Sequence, residues 1–154
     1  MENIDKQEVK KFADLAKEWW NEKGDFKPLH VINPLRANYI KEKTDITNKN
    51  ILDVGCGGGL LSEALYDLGG VVTGIDAAGP GIEVAKIHAK KNNKNISYFE
   101  KTAEVLNKER SGTFDIVTCL EVLEHVPDPE NLVKTCTELL KPGGLLFLST
   151  IKKQ

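Results

Sequence analysis

The sequence predicts an α/β fold, a parallel sheet flanked by helices, from three observations. From residue 50 onward, short apolar runs alternate with helical patterns, as βαβ units require. The first run, Asn50-Ile51-Leu52-Asp53-Val54, empties into the glycine burst Gly55-Cys56-Gly57-Gly58-Gly59, and a helical pattern follows. The second, Val71-Val72-Thr73-Gly74-Ile75-Asp76, ends in a carboxylate roughly twenty residues beyond that turn, where an acidic side chain outside a parallel sheet can meet a ribose.

Residues 5–20 bring Val9, Phe12, Leu15, Ala16, Trp19 and Trp20 near helical spacing, with lysines and acids between them, and predict an amphipathic helix. Its tryptophans either pack on the domain, cover a ligand or touch a membrane. Asn33-Pro34 reads as the start of a second helix that runs to Lys43, with Asn as cap and Pro in the first turn. Asn48-Lys49-Asn50 is a polar linker. Strands are predicted at 50–55, 71–76, 95–100, 113–119 and 144–150, and helices at 58–68, 80–92 and 129–140. Pro80 and Pro129 fall in first-turn positions, and Pro142-Gly143-Gly144 marks a stop. Segment 101–110 shows no clear pattern.

The 154 residues suit one compact domain with a real core. It divides into an N-terminal helical cap, 1–48, and a core, 49–154. Charged residues make up 29% and the net charge is −2, so no basic field points to nucleic acid. Cys56, Cys119 and Cys136 are odd in number and have no metal spacing, which favours reduced thiols in a cytosol. The N-terminus lacks a signal-peptide core, and no apolar run is long enough to span a bilayer. A peripheral membrane contact stays open.

Glycine lets backbone approach a ligand closely, and the helix that follows offers unpaired N–H groups. The dinucleotide fingerprint needs a third glycine where this chain has Leu60. Instead the glycines fall at 55, 57 and 59, with Asp53 two places before the first. That acidic-x-Gly-x-Gly-x-Gly form resembles motif I of the class I methyltransferases that use S-adenosylmethionine (SAM). Asp76 then reads as a ribose acceptor, or alternatively as a turn residue before Ala77-Ala78-Gly79-Pro80. Thr102, Ala103 and Glu104 follow the third strand, where an adenine would lie, although Glu104 could equally cap a helix. After the fourth strand, Glu121, Glu124 and His125 share a helical face. Two carboxylates and an imidazole can hold a divalent ion, position a proton acceptor, or form an ordinary solvated turn.

Larger segments are more discriminating. Trp19-Trp20, Phe26-Lys27-Pro28-Leu29-His30, Ile32-Asn33-Pro34-Leu35-Arg36, the glycine motif and Glu121-Val122-Leu123-Glu124-His125-Val126-Pro127-Asp128-Pro129 occur together, in order. Over residues 12–151 the chain closely resembles the O-methyltransferases of ubiquinone biosynthesis in their bacterial form. The resemblance implies a Rossmann-like sheet and methyl transfer from SAM to a phenolic oxygen on a polyprenylated ring. It implies cofactor contacts from Arg36, Gly55, Asp76 and Leu120, with Asp53, Gly57 and Gly59 in the same motif. Arg36 would supply a multi-donor group for the cofactor's carboxylate. Members similar to the mitochondrial form use Mg²⁺, and the matching positions here are Glu121, Glu124 and His125. The implied mechanism is direct displacement, with either Mg²⁺ or His125 assisting deprotonation.

The family's chains continue past the point where this one stops, so the sequence predicts a truncated domain lacking the last two strands. An uncovered sheet edge would invite self-association. The expected localisation is cytoplasmic, with peripheral contact at the inner face of the membrane left open. The rival expectations are a non-catalytic SAM-binding remnant or module and, against Leu60, a dinucleotide oxidoreductase domain.

Overall fold

The computed structural model describes residues 3–15 and 18–150, with the side chains of 11–15 left undescribed. Phe12, Leu15 and Ala16, singled out above, therefore have side chains outside the described residues. One five-stranded sheet has the order β3-β2-β1-β4-β5, where β1 is Asn50–Val54, β2 Val71–Asp76, β3 Ser97–Glu100, β4 Phe114–Leu120 and β5 Leu140–Ser149. Every pairing is parallel. The chain steps outward from β1 to β3, then returns to lay β4 on the other side of β1. That reversal opens a crevice at the carboxyl ends of β1 and β4.

Alternation along the central strands separates two cores, because successive side chains leave a strand on opposite faces. Leu52, Val54, Ile75 and Val117 meet Leu106 of α5 (Ala103–Arg110) and Leu132 and Leu139 of α6 (Pro129–Leu139). On the other face Ile51, Val72 and Ile116 meet Ile40 of α2 (Lys27–Lys43) and Leu65 of α3 (Leu60–Asp67). Tyr98, Cys56, Ile82 and Ala85 join β3 and the glycine turn to α4 (Gly79–Lys91).

The predicted strands are all present, and the ambiguous 101–110 segment is α5. Thr102 caps it, its side chain accepting from the Val105 N–H at 3.2 Å, and Asp128 caps α6 by accepting from Asn131 N–H at 3.1 Å. Three elements depart from the sequence reading. Helix α1 covers Lys6–Leu15, so Trp19 and Trp20 lie beyond it in a turn, where contacts with the glycine segment hold them. Helix α2 starts at Lys27, not at Asn33. Pro28 takes the first-turn position and Pro34 lies inside the helix, while the Asn33 amide donates to the Leu60 carbonyl at 2.9 Å. Strand β5 begins at Leu140 with an irregularity across Lys141-Pro142-Gly143-Gly144, and regular pairing resumes at Leu145 opposite Ile116.

Gly59 shows how tightly the turn is fitted. Its φ is +94°, and a Cβ there would stand 2.5 Å from the Tyr98 hydroxyl and 3.3 Å from Ala85. Gly59→Ala is expected to lower the unfolding free energy by about 2–4 kcal/mol, combining a left-handed backbone penalty with overlap. Urea denaturation measures this. Adding Tyr98→Phe, which removes only the hydroxyl, should restore part of the loss, and no restoration would contradict the contact.

Candidate active site

A cavity of about 290 Å³ opens at the carboxyl ends of β1 and β4. Its floor is the glycine turn. Gly55 and Gly57 take φ of +72° and +52°, a region that side chains with a Cβ enter at a cost. The turn is also crowded, because a Cβ on Gly55 would run into Val122 and one on Gly57 into the Trp19 ring. Trp19 stacks on Phe26 with ring centroids 4.2 Å apart, and both line the cavity.

Asp76, the last residue of β2, ties the floor to the sheet. Its carboxylate accepts from the Gly57 N–H and the Ala78 N–H, each at 2.8 Å. Asp76 is therefore a turn residue, as one sequence reading allowed, and also part of the cavity wall. Asp53 is buried one strand away, accepting from Ser62 Oγ at 2.7 Å and Thr118 Oγ1 at 2.8 Å. It locks the start of α3 and β4 onto β1.

At the mouth, Arg36 of α2 pairs with Glu121 at 2.5 Å. Glu121 has φ +59° immediately after Leu120, which turns it towards α2. His125 presents Nδ1 to Glu8 Oε2 at 3.1 Å. Thr102 and Ala103 line the adjacent wall, and Glu104 accepts from the Asn3 and Asn131 amides at 2.9 and 3.0 Å. Glu104 thus braces the N-terminal segment and α6 instead of capping α5.

The chain as a whole is similar to known proteins. The methyltransferase domain family covers residues 52–148 of this chain. The chain belongs to the methyltransferase domain family. It is 53% identical over 152 residues to a ubiquinone biosynthesis O-methyltransferase of Coxiella burnetii, covering 99% of this chain and 64% of that protein. A ubiquinone biosynthesis O-methyltransferase of Glaesserella parasuis is 52% identical over 158 residues, covering 99% and 67%. The chain thus spans a little under two thirds of the length of the first of these relatives. Among solved structures, YcgJ from Bacillus subtilis is 28% identical with a TM-score of 0.68, over 77% of this chain and 50% of that one. The magnesium protoporphyrin IX methyltransferase of Synechocystis PCC 6803, solved with bound SAM, shares the fold at 18% identity and a TM-score of 0.70, over 90% and 74%.

Of the residues picked from sequence, the methyltransferase domain brings Arg36, Asp53, Gly55, Gly57, Asp76, Thr102, Ala103, Glu104, Leu120, Glu121 and His125 to one cavity. Gly59 and Glu124 are not on its wall, and Gly59 faces Tyr98 in the core. The divalent-ion set expected at Glu121, Glu124 and His125 does not assemble. Among the described residues no three His, Cys, Asp or Glu side chains stand close enough to share an ion. The left-handed Glu121 turns to Arg36, whereas Glu124 and His125 ride the 3₁₀ turn Leu123–His125, with His125 turned to Glu8. Sequence reasoning missed Glu8, Phe26 and Val122. Glu8 carried no local signal, while Phe26 and Val122 lay inside quoted segments without an assigned role.

Burial pushes the Asp53 carboxyl from 3.8 up to about 6, against the lowering effect of the Ser62 and Thr118 hydrogen bonds. Burial likewise raises Asp76 over the pull of its backbone N–H partners. The folded domain therefore holds the Asp53 proton to a higher pH than the unfolded chain does. The stability this group contributes is present below 3.8 and is lost as pH rises through about 6, a loss of about 3 kcal/mol. Asp53→Asn should remove that slope. Urea denaturation between about pH 4 and about pH 6 measures it, and an unchanged slope would contradict the assignment.

Proposed function

We propose that the chain binds SAM and forms the cofactor half of an enzyme that methylates a phenolic oxygen of a polyprenylated catechol in ubiquinone biosynthesis. The charge of the cavity carries the choice of cofactor. Among the described residues, Asp5, Glu8, Asp53, Asp76, Glu104 and Glu121 line it against Arg36 and Lys101 as the permanently cationic side chains. A dinucleotide would put pyrophosphate over these carboxylates, and the Gly57 N–H in the turn already donates to Asp76. A sulfonium ligand carries the sign the cavity favours. The relatives at 52–53% identity are named ubiquinone biosynthesis O-methyltransferases, and a phenolic substrate fits that name.

Bound SAM supplies a methyl group already activated by its sulfonium, so the protein's task is alignment and proton removal. Arg36 offers five donors, enough to take a ligand carboxylate while keeping Glu121 near. Asp76 has lone pairs beyond the two backbone bonds and would accept ribose hydroxyls. Thr102 and Ala103 would flank the adenine, and Leu120 would pack against the cofactor. His125, oriented through Nδ1 by Glu8, would accept the phenol proton. No step runs through a metal ion, because the residues do not fit one in this arrangement.

Two peripheral readings belong to the same proposal. Val31, Leu35 and Tyr39 are exposed along α2 near Lys41 and Lys43, which suits contact with a membrane surface at the cytoplasmic face. Leu145 and Leu148, each 40% exposed on the edge strand β5, suit association between chains. Among the described residues no helix is long and apolar enough to cross a membrane.

The test is methyl transfer from labelled SAM to a polyprenylated catechol. Arg36→Ala and Asp76→Ala should each raise the SAM requirement about 10- to 100-fold, the loss of one charge-assisted contact. Binding of SAM without turnover would reduce the chain to a cofactor-binding module. Variants indistinguishable from the parent would contradict the assigned roles.

A further inference from the structure

The glycine turn is tied to the sheet on one side by Asp76, and on its outer side a second tie reaches it from the N-terminal segment. The Trp20 indole Nε1–H donates to the Gly58 carbonyl at 2.8 Å. The Trp20 ring lies flat on the His88 imidazole, with centroids 3.5 Å apart and planes 2° from parallel. His88 is oriented in turn, since Nδ1–H donates to Glu63 Oε2 at 2.6 Å, and Glu63 is buried on α3 with Lys94 Nζ 3.2 Å from its other oxygen. A stack of this kind, held by a buried carboxylate, sets the position of the indole closely.

We infer that Trp20 is a positioning residue for the cofactor, acting through the Gly58 carbonyl, with His88 and Glu63 as its support. Gly58 has no side chain to restrain it, and a Cβ there would overlap Trp19 at 2.6 Å. The peptide linking Gly58 to Gly59 is held instead by two hydrogen bonds, its N–H donating to the Cys56 carbonyl at 3.0 Å and its carbonyl accepting from Trp20. The preceding residue, Gly57, gives its N–H to Asp76, so rotation at Gly58 is transmitted to the two groups that form the cavity floor. Trp19 covers the inside of the turn while Trp20 grips the outside. The inference rests on the SAM-binding reading for its effect on affinity, but the clasp itself exists without ligand.

Two measurements on the 154-residue chain separate these claims. Trp20→Phe keeps a ring on His88 and deletes only the N–H donor. With ¹⁵N-glycine labelling and no ligand, the Gly57, Gly58 and Gly59 amide resonances should move while those of Gly112 and Gly143, distant from the clasp, stay. Calorimetry with S-adenosylhomocysteine should show a dissociation constant about three- to tenfold higher, the value of one hydrogen bond. Unmoved glycine resonances, or unchanged affinity in a variant that merely melts earlier, would overturn the inference. If the parent chain binds no S-adenosylhomocysteine, the cofactor reading falls and the glycine resonances alone decide the clasp. If Trp20→Phe does not fold, solvent exchange of the Trp20 indole proton in the parent decides it, with slow exchange expected and free exchange contradicting the bond.

Discussion

Backbone from Gly55 to Gly59 is held in a shape that ordinary residues resist, and the rest of the domain is arranged to keep it there. Three of its residues have positive φ, which opens the end of β1 into a curl and launches α3. Tyr98 and Ala85 fill the space under Gly59, Val122 closes on Gly55, and Trp19 covers Gly57 and Gly58. Each contact uses the volume that a missing Cβ leaves. The parallel sheet supplies the frame, because Gly55 and Cys56 both donate backbone N–H groups to Ile75 at the end of β2. The fold and the floor of the cavity thus depend on one turn.

Charge is arranged around the same turn. Asp53, buried, and Asp76, half-buried on the cavity wall, stand near the ends of adjacent strands, and burial raises both despite their hydrogen bonds. Such groups are retained at a cost in stability. On the reading proposed above that cost has a use, since an acidic cavity with one arginine at its mouth would distinguish a cationic ligand carrying a carboxylate from a polyanionic one. The Arg36–Glu121 pair joins α2 to the end of β4 across that mouth.

Much of this was legible in the sequence where local rules decide the outcome. The five strands follow from apolar runs bounded by turn residues, and Gly55, Gly57, Asp53 and Asp76, which the glycine motif singles out, all line the cavity. Local rules failed where contacts distant in sequence decide. Both Pro28 and Pro34 satisfy the chemistry of a helix start, and only packing against α3 shows the helix passing through Pro34. Trp19 and Trp20 have helical spacing with the residues before them, yet their partners are Gly58, His88 and Phe26. Glu121, Glu124 and His125 share one face of an ideal helix, but the positive φ of Glu121 breaks that geometry. Tyr98 gave no signal at all, because its role is to occupy space that Gly59 and Gly74 vacate.

The central claim is that the turn and its acidic surroundings select a SAM-type ligand, and a calorimetric comparison of S-adenosylhomocysteine with NAD on this chain tests it most directly. Saturable one-to-one binding of S-adenosylhomocysteine, with NAD giving no heat at the same concentrations, is the predicted result. Equal or stronger binding of NAD, or no binding of S-adenosylhomocysteine by a chain shown to be folded, would contradict it.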